Sequence, residues 1–222
     1  MTHTKSIASG RGKERRWAPT AKPGSHSKKE ALTLIQILRD LLGYADNARE
    51  VRRILQNSNV TVDKKVVKES KHPVGLMDVV EIPKLKKQFC VLPSKKGLVL
   101  KEVDSKKAAA KLCAVREKTK VKKGLIQLNL HDGSNMLVKD DKYKPGDSLL
   151  ITLPDKKIKK VFGFKEGNFG LVVSGRHCGE TGVIKEIQPG TGTTRSLTTL
   201  GELQTPSKYI FVVGEKESEI EL

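Results

Sequence analysis

Arginine side chains recur in this sequence at a spacing that places them together on one side of a helix. Val51, Ile54 and Leu55 form the apolar side of a predicted helix that begins after Asn47, and arginines occupy the other side. The planar arginine side chain carries several donors that match phosphate oxygens, so such a surface could bind a polyanion. The residues concerned are Arg49, Arg52 and Arg53.

A second group of cations lies in the first 27 residues, which show no sustained apolar periodicity. This stretch is rich in Gly, Ser, Thr and Pro and cannot by itself bury enough apolar surface to fold. We predict an extended basic arm that becomes ordered on a partner, where its cations contact phosphates and its tryptophan packs or stacks. A disordered tail is the alternative. The candidate contact residues are Lys13, Arg15, Arg16, Trp17 and His26.

Glycines are concentrated near the C-terminus, where eight of the 19 fall between residues 163 and 192. The segment 169–184 has the pattern of a strand, a glycine-punctuated loop and a second strand. Such a loop could bring its backbone, with Arg176 and His177, against a phosphate chain. Glycines at this density imply positive φ or close backbone approach, and we predict that a side chain is poorly tolerated at Gly182, because the chain must turn sharply before the second strand.

Residues suited to metal binding or catalysis are scattered. Cys90, Cys113 and Cys178 form no Cys-x-x-Cys pair, and no histidines stand at zinc spacing, so we predict three free, buried thiols and no metal. The sequence contains no G-x-G-x-x-G, P-loop or H-E-x-x-H motif. His131 and Asp132 precede Gly133 and are predicted to form a turn. We therefore predict no cofactor and no enzymatic activity.

The elements that must hold these residues can be read from periodicity and turn chemistry. Ser27 and Glu30 form a capping-box pattern ahead of a helix that would stop at Gly43, and Asn47 with Glu50 starts the next helix. Short strands and one further helix follow. The predicted strands are 60–62, 65–67, 77–82, 89–92, 97–100, 125–130, 135–138, 148–153 and 158–164, with turns at 63–64, 145–147 and 154–157 and a helix at about 105–115.

The charge of the chain is regional. The 222 residues carry a net charge of +18, with +6 in residues 1–30, +2 in 31–80, +13 in 81–165 and −3 in 166–222. A basic centre and arm beside a slightly acidic end indicates a protein that lies along nucleic acid with one end turned away. Solvated lysine-rich faces are the alternative for the central region. No apolar run is long enough for a membrane span, and no signal peptide is apparent, so we expect a cytosolic protein.

Two motifs resemble known modules. The span 42–82 is similar to the S-four type RNA-binding domain, with A-R-E-x-x-x-x-L, V-x-V, a turn, K-V-V and D-x-V in order. It has Asn57-Ser58-Asn59 where a glycine usually precedes the first strand, and Asp63-Lys64 in place of Asn-Gly. The sequence G-R-H-C-G-E-T-G-V-I at 175–184 resembles a KOW motif, and the resemblance implies that Gly175, Gly179 and Gly182 are its structural glycines.

With the R-R-W-A-P-x-x-x-P-G-S-H arm in front, the order of these motifs resembles the archaeal and eukaryotic small-subunit ribosomal protein S four, E-type, in its archaeal form. The resemblance implies a constituent of the small ribosomal subunit that binds ribosomal RNA and supports subunit assembly and translation. It implies a cytoplasmic, ribosome-bound protein whose partners are rRNA and neighbouring ribosomal proteins. No membrane, small-molecule substrate or homo-oligomer is expected.

The predicted fold class is α+β with several domains. We expect the basic arm at 1–27, a helical entry and S-four type domain at 28–82, a central lysine-rich β domain at 83–165, and a small SH3-like β-barrel with the KOW motif and an acidic tail at 166–222. The candidate RNA-binding residues are Lys13, Arg15, Arg16, Trp17, His26, Arg49, Arg52, Arg53, Lys64, Lys65, Lys71, Arg176 and His177.

Two other functions stay open at this point. An RNA-modifying enzyme can carry an S-four type domain, although little chain is left here for a catalytic domain. A non-resident assembly or elongation factor can carry a KOW module, although factors generally devote their extra length to a partner-binding domain. Retention on salt-washed small subunits would distinguish a resident protein from a factor.

Overall fold

A computed structural model describes residues 2–3, 18–105, 107–191, 195–215 and 218. Within those residues it contains nineteen short strands and one regular α-helix, α1, at Ala48–Gln56. The strands form three five-stranded and two two-stranded sheets. The predicted α+β fold class with several β-rich parts is therefore confirmed.

The chain ahead of α1 begins its helix later than predicted. Ser27 and Glu30 do contact each other, with the Ser27 hydroxyl 3.2 Å from the Glu30 carboxylate, but they close only an isolated turn. The capping box that starts the helical segment is formed by Thr33 and Gln36. Gln36 Oε1 accepts from the Thr33 backbone amide at 2.9 Å, and the Gln36 backbone amide donates to the Thr33 hydroxyl at 3.4 Å. A π-helical segment, Gln36–Leu41, follows, and Gly43 ends it with φ +65° as predicted.

The first five-stranded sheet carries the residues on which α1 packs. Val51 and Leu55 of α1 are fully buried against Val60, Val62 and Val80, as expected for a helix with one apolar side. The sheet has the order β5-β4-β7-β8-β9, and β1-β2 and β3-β6 are two-stranded pairs. The bounds are β1 Thr2–His3, β2 Ala18–Pro19, β3 Leu32–Thr33, β4 Thr61–Val62, β5 Lys65–Val66, β6 Pro73–Val74, β7 Val79–Ile82, β8 Lys87–Ser94 and β9 Gly97–Glu102.

The helix predicted at about 105–115 is wrong. Of the residues described in that range, only the 3₁₀ turn Lys107–Ala109 is helical, and residues 110–120 form a long strand. Alanine and lysine favour a helix locally, but Leu112, Cys113 and Val115 are buried in a sheet, and tertiary packing overrides propensity.

The second five-stranded sheet, with the order β12-β11-β10-β13-β14, encloses a core around Leu128, Leu149 and Ile151. Apart from the strand at residues 110–120, its strands agree with the predicted segments, and the predicted turn at 145–147 has Gly146 at φ +95°. The bounds are β10 Ala110–Lys120, β11 Ile126–Leu130, β12 Asn135–Val138, β13 Ser148–Thr152 and β14 Ile158–Phe162.

The third five-stranded sheet, with the order β18-β17-β16-β15-β19, holds the glycine-rich segment. Strand β19 is buried along its whole length. The bounds are β15 Phe169–Val172, β16 Thr181–Gln188, β17 Leu197–Leu200, β18 Leu203–Pro206 and β19 Ile210–Gly214, and further 3₁₀ turns lie at Pro83–Leu85, Lys122–Gly124 and Ser207–Tyr209.

Contacts group the chain into two compact units. One contains residues 1–92, 96–111 and 152–156, and the other contains residues 93–95, 112–151 and 157–222. The chain passes between the units several times, so neither is a single continuous stretch. The four-part division expected from the sequence stays a prediction.

Candidate nucleic-acid interface

Helix α1 is fixed at its N-terminus by side chains close in sequence. Asn47 Oδ1 accepts from the amides of Arg49 and Glu50 at 2.9 and 3.0 Å. The Glu50 carboxylate in turn accepts from the Asp46 amide at 2.8 Å and from Asn47 Nδ2 at 2.8 Å. These bonds satisfy amides that a helix start leaves unpaired. The first turn of α1, and with it Arg49, is thereby held in place.

The arginines of α1 point away from the core. Arg49, Arg52 and Arg53 are all exposed, and no described residue forms an ion pair with any of them. The acid best placed for such a pair, Glu50, is occupied by the cap. Three uncompensated guanidinium groups on one rigid helical surface are suited to contact phosphates. We call these three residues the arginine face.

The hairpin β4–β5 adds a lysine to the same unit. Asp63 and Lys64 both have positive φ, +50° and +65°, as a type I′ turn requires, so this turn forms without the usual Asn-Gly. The Lys64 ammonium pairs with Glu81, whereas Lys65 is exposed and has no ion pair with any described residue. Of the two lysines of this hairpin, both of which are predicted to bind RNA, Lys65 is therefore the one available to a partner.

Ser58 takes the backbone conformation that a glycine would supply in the resembled domain. Its φ is +55°, and its amide donates to the Leu55 carbonyl at 3.0 Å, so it closes the end of α1. A non-glycine residue adopts this geometry at the cost of some backbone strain. The departure in sequence thus leaves the path from α1 into β4 intact.

His26 occupies a different place from the one predicted. Its side chain is only 5% exposed, and Nε2 lies 2.9 Å from Asp78 Oδ2. A side chain buried against a carboxylate is not presented to a partner, so we leave His26 out of the proposed RNA-binding residues. Lys71 is half-buried, and its carbonyl accepts from the Lys22 amide at 3.0 Å.

A buried ionic cluster that the sequence did not reveal lies beside His26. Lys111 is 1% exposed, and its Nζ lies 2.5 Å from Asp78 Oδ1 and 2.7 Å from Asp63 Oδ2. Asp63 Oδ1 also accepts from the Val79 amide at 3.0 Å. The two aspartates are 33 and 48 positions away from Lys111, and no local pattern connects them. We call Asp63, Asp78 and Lys111 the buried ionic cluster.

The pKa values of the two carboxyl groups in this cluster are shifted in opposite directions, although both groups pair with the Lys111 ammonium. Burial alone would raise the pKa of Asp78, but Lys111 and then His26 outweigh burial and hold that pKa well below its usual range. Burial, followed by the charge of Asp78, raises the pKa of Asp63 in spite of Lys111. Burial also raises the pKa of the nearby Cys90 thiol to about 12, which keeps it protonated and unreactive.

The glycine-rich hairpin presents one cation that is open to a partner. Arg176 is exposed and forms no ion pair with any described residue, whereas His177 is partly buried with Nδ1 3.3 Å from the Glu180 carboxylate. Glu180 also binds Lys95 at 2.8 Å, and this hydrogen bond is the main reason that the pKa of Glu180 is lowered. Arg176 is therefore the residue of this loop best placed to meet a polyanion.

Two of the three predicted glycines have the geometry that was expected. Gly175 and Gly179 have φ +90° and +88°, and a Cβ at Gly179 would lie 3.1 Å from the carbonyl oxygen of Pro93. Gly182 is different, because it lies inside β16 opposite Gly170, and the nearest atom to an added Cβ is 3.5 Å away. The sharp turn expected at Gly182 is therefore absent. The crowded position is Gly170, where a Cβ would lie 3.0 Å from Ile210 Cγ2 and from Leu200 Cδ1.

Other kinds of site are absent from the described residues. None of them form a cluster of His, Cys, Asp and Glu that could hold a metal ion. None of the three cysteines, all of which the structure describes, is in a disulfide; Cys90 and Cys113 are buried as predicted, and Cys178 is partly exposed.

The predicted turn at Asp132 is confirmed, since Asp132 accepts from the Ser134 amide at 3.0 Å and Gly133 has φ +71°. No described helix is long and apolar enough to cross a membrane. The predicted contacts Lys13, Arg15, Arg16 and Trp17 lie outside the described residues.

Comparisons with known proteins cover almost the whole chain. The S4 domain family matches residues 27–80, and the ribosomal family S4e matches residues 85–158. A small ribosomal subunit protein eS4 from Methanosphaera stadtmanae is 43% identical over 95% of this chain and 89% of its own length. The same-named protein from Methanothermobacter thermautotrophicus is 41% identical over the same shares. The crystal structure of 30S ribosomal protein S4e from Thermoplasma acidophilum matches with a TM-score of 0.77 and 34% identity, over 86% of this chain and 99% of that one. The motifs, the fold and these relatives agree, and the chain belongs to the ribosomal family S4e.

Proposed function

We propose that this protein is a structural constituent of the small ribosomal subunit. It binds ribosomal RNA through the arginine face of its S4 domain and supports subunit assembly and translation in the cytoplasm. It has neighbouring ribosomal proteins as further partners and acts without catalysis. The observation that carries the RNA-binding part is the arginine face itself: Arg49, Arg52 and Arg53 are exposed, and no described residue neutralises them.

Several features support RNA as the ligand. Relatives with 41–43% identity are named small ribosomal subunit proteins. The chain has a net charge of +18 but only 4% aromatic residues. That balance favours recognition of folded RNA by phosphate contacts and shape over base stacking on an aromatic platform. Lys65 and Arg176 are exposed cations that extend the proposed interface, and Lys13, Arg15, Arg16 and Trp17 belong to it through the arm.

Replacing the whole arginine face tests the proposal. The variant Arg49→Ala/Arg52→Ala/Arg53→Ala should bind an rRNA fragment more weakly, and its salt slope should fall by about one unit for each phosphate that it no longer binds. A matched control removes three exposed lysines of the same unit, Lys28, Lys68 and Lys84. Both variants lose the same charge, so a specific interface predicts a larger effect for the arginine variant. Equal affinities for the two folded variants would contradict the assignment.

Residence on the subunit is tested separately. Small subunits washed at high salt should retain this protein in stoichiometric amount, because a resident constituent is held by many contacts and by its neighbours. A non-resident assembly or elongation factor would be released by the wash. Release of the wild-type chain would therefore favour that alternative and would leave the RNA-binding face to be judged by the fragment assay.

A further inference from the structure

Residues 22–26, which we call the strap, lie along the segment 69–78 of the S4 domain. At one end the Lys22 amide donates to the Lys71 carbonyl at 3.0 Å, and the Lys22 ammonium pairs with Glu69 at 2.5 Å. In the middle the Ser25 hydroxyl donates to the Pro73 carbonyl at 3.3 Å. The contacts run in order along both segments, so the strap is docked over its whole length.

Close approach to glycine marks the other end of the strap. The ring of His26 lies directly over Gly75, where an added Cβ would come within 2.3 Å of the His26 ring. Asp78 Oδ2 accepts from the Gly75 amide at 2.8 Å and lies 2.9 Å from His26 Nε2. Gly75 therefore leaves space for the ring, and Asp78 holds both the ring and the glycine backbone.

Asp78, the residue that contacts the His26 ring, is itself held by further buried contacts. Asp78 is 1% exposed and is bound through its other oxygen to Lys111, which also binds Asp63. Asp78 therefore connects His26 to Lys111 and Asp63, and buried polar contacts fix geometry more strongly than exposed ones. By contrast, the exposed Lys22 pair at the far end is expected to contribute little.

We infer that His26 is a positioning residue for the basic arm, because it clamps the strap to the buried ionic cluster and so fixes where the arm leaves the S4 domain. The sequence predicted that His26 would bind RNA; its contribution to binding is instead indirect. This inference rests on the proposed function, since it assumes that the arm contacts rRNA. The arm residues concerned are Lys13, Arg15, Arg16 and Trp17.

The gain from such a clamp is one of effective concentration. Once the arginine face is bound, a clamped strap fixes the point from which the arm extends, and this raises the effective concentration of the arm cations at the rRNA relative to a released strap. Linking two binding segments can raise overall affinity by ~10²–10⁴ when the geometry allows both to engage, and less when the linker is slack. Release of the strap should therefore weaken the arm's share of binding and leave that of the arginine face unchanged.

Hydrogen exchange on the full chain tests the clamp itself. The variants His26→Ala and Gly75→Ala remove the clamp from its two sides, and Lys28→Ala is an exposed control just beyond the strap. Both clamp variants should speed exchange of the Lys22 amide by ~10-fold or more, because that bond then opens locally. Amides of α1 should exchange as in the wild type, which also shows that the S4 domain remains folded.

A double-mutant cycle on the full chain tests the effect on binding. The arm variant Arg15→Ala/Arg16→Ala is combined with His26→Ala, and affinity for an rRNA fragment is measured for each. If His26 positions the arm, the arm variant should cost at least ~3-fold less affinity in the His26→Ala background than in the wild type. A purely structural histidine would give the same cost in both backgrounds.

The outcomes separate the inference from the proposed function. Unchanged exchange at Lys22 in both clamp variants would overturn the clamp. Faster exchange with additive affinities would overturn the positioning role. Should the wild-type chain bind no rRNA fragment, the proposed function would be overturned together with the positioning role, while the clamp would still be decided by exchange.

Discussion

Replacing Lys111 with methionine should destabilise the first compact unit severely. The side chain is 1% exposed and is the cation shared by Asp63 and Asp78 at 2.7 and 2.5 Å. Its removal leaves two carboxylates in a buried site without a counter-charge, although methionine fills most of the volume. Breaking a buried ion pair by removing one partner costs about 3–5 kcal/mol. For a chain of this size that corresponds to a drop in Tm of about 6–20 °C.

The pH dependence gives this prediction a second, independent check. In the wild type the lowered pKa of Asp78 contributes stability that is present above about pH 4 and is lost as the pH falls through the folded-state value. The raised pKa of Asp63 acts in the opposite sense, because its contribution is complete below about pH 4 and is lost as the pH rises through its folded-state value. Without the ammonium group, burial dominates at both carboxyls, so both pKa values should be raised. The stability deficit of Lys111→Met should therefore be largest at pH 7 and shrink toward pH 5.

Unfolding by urea, followed by circular dichroism at pH 7, 6 and 5, measures both effects. The control is Lys22→Met, which removes an exposed lysine from an ion pair with Glu69 and should change stability by no more than about 1 kcal/mol. A Lys111→Met variant within about 1 kcal/mol of the wild type at pH 7 would show that the cluster is not the buried, charge-paired site described above. A deficit that does not depend on pH would show that poorer packing, and not unpaired charge, is responsible.

Two further predictions concern the third sheet. Gly170→Ala should lower the free energy of unfolding by about 1–3 kcal/mol, because its Cβ would press on Leu200 and Ile210 at 3.0 Å. Gly182→Ala is the control and should lower it by less than half as much, because no atom lies nearer than 3.5 Å to its Cβ. Equal losses of stability in thermal denaturation would refute this reasoning. Arg176→Glu should leave the Tm within about 2 °C of the wild type, because the side chain is exposed and forms no ion pair with a described residue. The variant should nevertheless compete poorly with the wild type for incorporation into small subunits, because it loses a phosphate contact. Normal incorporation would assign this loop to packing or to a protein neighbour.

The sequence predicts those elements whose determining residues lie close together along the chain. Helix α1 was predictable because Asn47, Glu50 and the apolar spacing of Val51 and Leu55 all act within one or two helical turns. Most strands after residue 82 were predictable for the same reason. The capping box predicted at Ser27 and Glu30 does not start the helix, because Thr33 and Gln36 fit the same pattern and lie next to the helical segment.

The remaining features depend on tertiary structure. The strand at residues 110–120 has helix-favouring composition at its start, and only its partners in the sheet decide its conformation. The buried position of Lys111 could not be read from a chain that contains many exposed lysines. His26 was assigned to the arm by composition, and only its contact with Asp78 shows that it faces inward.

The position of Lys111 in the sequence also has a consequence for how the protein is synthesised. The segment that matches the S4 domain ends at residue 80, but the cation that pairs with both Asp63 and Asp78 is residue 111. At a translation rate of ~5–20 residues per second, Asp63 and Asp78 would wait about 2–6 s for their partner after the domain itself has been made. We expect the domain to fold fully only when that later segment becomes available. Pulse-labelled hydrogen exchange on nascent chains of increasing length would reveal this as protection of the Val79 amide that appears only after residue 111 has emerged.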